Sequence, residues 1–112
     1  MPRPLHLVTG TRALDTVCEH LDPWAAAALI AGAVPITLVA SAAVGAPAIL
    51  TEPELEELRA GELPGRAEIA ERAGRSTDAH VIKIANTALV EDARTGDRLY
   101  RLAAARVLDH RP

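Results

Sequence analysis

Four carboxylates, three of them in the C-terminal half, and four C-terminal cations are the side chains best suited to chemistry. Asp78 stands two residues before His80 and fourteen before Asp92, inside the stretch STDAHVIKIANTALVEDA (residues 76–93). Glu91 precedes Asp92 directly, and Asp15 lies in the N-terminal region. Carboxylates gathered at one rim hold hard divalent cations, because Mg²⁺ and Mn²⁺ take oxygen ligands and stabilise charge developing on a phosphate. Arg75, Lys83, Arg94 and Arg98 are the cations suited to phosphate contact. Each residue also has a plainer reading. An Asp in a first helical turn complements the helix dipole, and Glu91 with Asp92 adjoins a polar turn. His80 has no ligand-type residue three or four positions away, as a helical metal pair requires.

The elements that must position these groups are read from apolar spacing and stop signals. LHLVT (5–9) and VPITLVAS (34–41) predict buried strands, the second because it is rich in β-branched side chains. ALVED and RVLD predict two more. Helices are expected over TRALDTVCEHLD, with Cys18 on its apolar face, and over residues 23–32, opened by Asp22 as N-cap before Pro23. Further helices are expected over TEPELEELRAG, with Thr51 as cap and Gly61 as stop, over GRAEIAERAG, ended by Gly74, and from Asp78 onward with Ser76 or Thr77 capping. DRLYRLAAA gives the last helix, with Leu99, Leu102 and Ala103 on its inner face. Residues 42–50 receive no assignment. Strands alternating with helices predict one α/β domain over residues 1–112, with a short, mostly parallel sheet flanked by helices.

This order of elements, with the phrases LPGRAEIAERAGRSTDAH and TALVEDARTGDRLYRL, resembles the PIN-domain family, the toxin-type ribonucleases of bacterial toxin-antitoxin pairs. The resemblance implies a PIN-like fold and metal-dependent RNA cleavage with Mg or Mn. Asp78 and Asp92 would be catalytic, and Asp78, Asp92, Asp15 and Glu91 would be the metal ligands. The implied partners are RNA and an antitoxin-like protein. The chain departs from the family at Thr9, where the family's first strand ends in Asp, and in LVASAAVGA, where a Glu is expected. An alternative expectation is a mainly α chain with a C-terminal winged helix, residues 66–102 contacting DNA through Arg75, Lys83, Arg94 and Arg98. A third is a non-catalytic interaction module that binds itself or a partner, its acidic face being TEPELEEL.

Composition bounds these readings. The 112 residues carry a net charge of −3. Residues 1–63 hold three basic and eight acidic side chains, residues 64–112 nine and seven, far from a nucleic-acid footprint written in charge alone. With no Phe, one Trp and one Tyr, the core must be small and aliphatic, so modest stability or help from a partner subunit, such as a homodimer, is expected. The single Cys18 excludes an internal disulfide and fits a reduced, cytoplasmic setting. Residues 23–51 are uncharged and long enough to span a bilayer. Eleven alanines, Pro35, Pro47 and acidic flanks without Lys or Arg anchors favour no membrane association.

Overall fold

A computed structural model of the chain describes residues 5–110. It contains six helices: α1 (Leu5–Cys18), α2 (Pro23–Ala43), α3 (Glu52–Ala60), α4 (Arg66–Gly74), α5 (Ala79–Thr95) and α6 (Leu99–Asp109). No strand occurs among the described residues. The expected α/β, PIN-like fold is therefore overturned, while the mainly α alternative agrees with the architecture. The two strands that would make a wing are absent from the described residues as well.

Each predicted strand is helical: LHLVT opens α1, its five residues being too few to separate the two periods, and the other three have reasons as definite. ALVED and RVLD are four or five residues long, and apolar runs of that length fit either period. Both are the C-terminal turns of longer amphipathic helices, α5 and α6. VPITLVAS follows eight residues of mostly Ala and Leu, and the helix nucleated at Pro23 runs through it. Pro35 sits inside α2, where its missing N–H deprives the Ala31 carbonyl of an intrahelical donor. β-Branching lowers helix propensity by only a few tenths of a kcal/mol per residue, too little to stop a helix already under way.

Contacts divide the chain into two compact units, Met1–Ala48 and Ile49–Pro112. In the first, α1 packs on α2. Asp22 caps α2 by accepting from the backbone N–H of Trp24 (3.0 Å) and Ala25 (3.1 Å), with Pro23 at the first position. No described residue of this unit is buried. Cys18 and Leu14 are half-buried, and Val17 is exposed.

In the second unit α5 lies along α6 and α4, α4 touches α6, and α3 meets α6. The core is Ile69, Ala73, Ala85, Ala88 and Ala104, with Leu89, Tyr100 and Leu108 packed against it. Four of these five buried residues are alanine, so α4, α5 and α6 can approach closely with little area buried per residue. α5 ends at Gly96 in the left-handed conformation (φ 73°), whose N–H returns to the Asp92 carbonyl (2.9 Å). That turn reverses the chain directly into α6.

Candidate functional site

Asp78 is the N-cap of α5. Its Oδ1 accepts from the backbone N–H of His80 (2.8 Å) and lies 3.3 Å from the His80 Nδ1. The His80 N–H holds the Asp78 carboxyl below the usual carboxylate range, so the cap is present above a pH near 4 and weakens only as pH falls through the depressed value. Asp78→Ala is accordingly expected to lower the melting temperature by a few degrees, with Asp78→Ser restoring most of it. Thermal melts followed by circular dichroism at neutral pH check this.

Asp92 is in a different situation, at 1% exposure on the inner face of α5. Its Oδ2 accepts from the Arg66 Nε of α4, its Oδ1 is 3.4 Å from the Arg101 Nε of α6, and its carbonyl accepts from the Arg66 Nη2 (3.3 Å). One carboxylate thus joins three helices. Glu91, also buried, accepts through Oε2 from Nε (3.0 Å) and Nη2 (2.6 Å) of Arg94.

These positions do not gather into the expected rim. Asp78 and Asp92 are fourteen positions apart along α5, about 21 Å along the axis, beyond the span of one ion's ligands. Asp15 belongs to the other unit and pairs with Arg12 (3.0 Å) on the exposed side of α1. Among the described residues no group of three or more His, Cys, Asp or Glu is placed to hold a metal ion. The four expected phosphate contacts are similarly dispersed. Arg75 pairs with Glu71, Arg94 with Glu91, and Arg98 donates to the Gly61 carbonyl (3.2 Å), while Lys83 stands on the exposed face of α5. A surface depression of about 480 Å³ near the start of α5 is lined by Arg72, Arg75, Asp78, Val81 and Leu108. Its arginines face their own acids, Arg72 with Asp109 and Arg75 with Glu71, which leaves little net field for an anion.

The least compensated surface is α2. Its 21 residues contain no charge, reach a mean hydropathy of 2.0 over an 18-residue window, and include no buried residue. By length and composition the helix suffices to cross a membrane. Trp24 is 86% exposed, Ile36 and Val39 are 70% exposed, and Leu38 is 64% exposed. Leu29, Ile30 and Val34 stand out of the surface too. The half-buried positions Ala25, Ala26, Ala33, Ala40 and Ser41 are all small. A helix apolar around its whole circumference is normally an interior element. The signal for this site was the uncharged stretch itself; its division at Pro35 into helix and strand hid the continuous surface. No family model matches the chain, and neither does any curated protein or solved structure.

Proposed function

We propose that the chain is a helical interaction module that assembles through the α1–α2 hairpin with a second copy of itself. One observation carries this reading: α2 is apolar on every side, and although α1 packs on it none of its residues is buried. Seven large apolar side chains from Trp24 to Val39 present several hundred Å² to water, at or above the ~300–600 Å² of the largest patch on an ordinary monomer. The burial of about 800 Å² per partner in a standard interface is within reach. Alanines along α2, with Gly32 among them, let a second helix approach closely and interlock around the larger side chains. A two-fold arrangement removes both copies of the surface from water at once, with the same residues on each side.

A protein partner suits the ends of α2 better than lipid does. Glu19, Asp22, Glu52 and Glu54 flank the apolar stretch, and the Lys or Arg anchors that mark a cytoplasmic membrane boundary do not stand beside it. Sedimentation equilibrium of the full chain in detergent-free buffer tests the proposal. A dimer is expected at micromolar concentration, and Ile36→Asp, at a position 70% exposed, is expected to weaken association at least tenfold while α3–α6 keep their helicity. A monomer at all concentrations would refute it, as would recovery of the wild-type chain only with detergent or lipid vesicles.

A further inference from the structure

The second unit contains one helix attached differently from the rest. α3 has nine residues and buries none of them, whereas α4, α5 and α6 each contribute buried side chains. What ties α3 and its connection to the body of the unit is a row of arginine contacts at the α5–α6 corner. Arg59 Nε and Nη2 donate to Asp97 Oδ1 (3.3 Å) and Oδ2 (3.1 Å), a two-pronged pair between groups about a quarter to a third exposed. Just beyond, Arg98 donates to the Gly61 carbonyl (3.2 Å) and Arg101 Nη1 to the Pro64 carbonyl (3.4 Å). Beside α3 lies an open cleft of about 570 Å³, where Leu58, Leu63 and Leu102 share the lining with Glu54, Glu57 and Glu62. Apolar packing there is incomplete.

We infer that α3 is a detachable latch, held closed by the Arg59–Asp97 pair and released by ionic strength while α4–α6 stay folded. Three observations combine. A nine-residue helix is too short to persist in water by itself, so its docked state depends on its contacts. Its internal stabilisers, the Thr51–Glu54 capping box and the pairing of Arg59 with Glu52 (3.0 Å), order α3 without attaching it. Its attachments are charge-based and lie near the surface, the class of interaction that salt screens most. The opened state fully uncovers Leu58, Leu63 and Leu102, which are half-buried in the closed one.

The groups that face Asp97 fix the effect of acid. Arg59 approaches from α3, with Glu52 and Glu56 sharing its guanidinium, and the Leu99 N–H (3.0 Å) approaches from α6. The Arg59 bonds first, and then the Leu99 N–H, keep the Asp97 carboxyl below its ordinary range. A depressed carboxylate contributes stability above its unfolded value near 4 and loses it as pH falls through the folded value, so acid opens the latch and neutral pH holds it.

Hydrogen exchange of the full chain, resolved by residue, tests the inference. Asp97→Asn removes the charge and retains an oxygen to accept from the Leu99 N–H; Arg59→Met removes the guanidinium and retains the stem. In both variants the amides of residues 55–60 are expected to exchange about three- to tenfold faster, with those of α5 and α6 unchanged. Raising salt to about 0.5 M is expected to speed the same amides in the wild type and to have little further effect in Asp97→Asn. If all four helices shift together by one factor, or if residues 55–60 do not respond in either variant, α3 is an ordinary part of a single cooperative unit and the inference is wrong.

Discussion

Asp92→Ala is expected to destabilise the α3–α6 unit by about 3–5 kcal/mol, enough to leave it largely unfolded at room temperature. The carboxylate is almost wholly enclosed, and alanine would leave a void between two cations that approached one another only because Asp92 lay between them. The two arginines differ in their escape. The Arg66 side chain is 56% exposed and can turn outward into water, whereas Arg101 is 21% exposed and remains trapped against α5. The cost therefore falls mainly on Arg101, and Asp92→Ala combined with Arg101→Met should recover a substantial part of it, because an apolar stem needs no counter-charge. Urea unfolding followed by circular dichroism, as a double-mutant cycle, measures the coupling. Equal loss in Asp92→Ala and in the exposed Asp78→Ala would show that Asp92 bears no special weight.

The contrast between Asp78 and Asp92 explains what the sequence could and could not reveal. The helix start at Asp78 was legible, because capping acts on near neighbours within STDAH, but the cap is Asp78 itself, and the expected Ser76 accepts only from the Asp78 N–H. Asp22 before Pro23, Thr51 before an acidic first turn, and Gly61 past the end of α3 were legible for the same reason. Asp92 was not, since its partners Arg66 and Arg101 are set by tertiary packing, 26 residues before it and nine after. A signal did exist. Ala85, Ala88 and Asp92 recur at the i, i+3, i+7 spacing of one helix face, so extending the helix through ALVED would have put an acid on the buried stripe and required a cation opposite. Ending the helix early, because Leu89 and Val90 suggested a strand, moved Asp92 to a solvated turn in the sequence reading.

In α6 the error was one of phase. Leu99, Leu102 and Ala103 were expected inside, yet Ala104 and Ala105 are the buried pair and Ala103 is exposed. In an alanine-rich helix the faces differ little in hydrophobicity, so rotation about the axis is fixed by the fit of neighbouring helices. Periodicity alone carries little information there. The expectation of a small aliphatic core could be made from composition because it does not depend on phase, and the buried apolar set of two isoleucines and five alanines is what a chain without Phe can build.

Ile69→Ala should produce the second large effect, about 3–4 kcal/mol, near the upper part of the range for such truncations. Ile69 is fully buried on α4 and is the one large aliphatic side chain in a cluster otherwise made of Ala73, Ala85, Ala88 and Ala104. The cost of deleting core methyl groups depends on how far the surroundings can relax into the void. Alanine has no rotamers with which to do so, and Leu89, Tyr100 and Leu108, packed half-buried against the cluster, can fill the gap only in part. Closing the gap would require α4 itself to move toward α5 and α6, and the Arg66–Asp92 link at the start of α4 resists that shift. Ile69→Val should cost about 1 kcal/mol, because the smaller void needs no helix movement. Urea midpoints for the two variants separate the explanations: a steep rise in cost from valine to alanine marks a rigid small-residue core, while a cost near 1 kcal/mol for alanine would mean that the three helices collapse freely and that Asp92 does not fix their spacing.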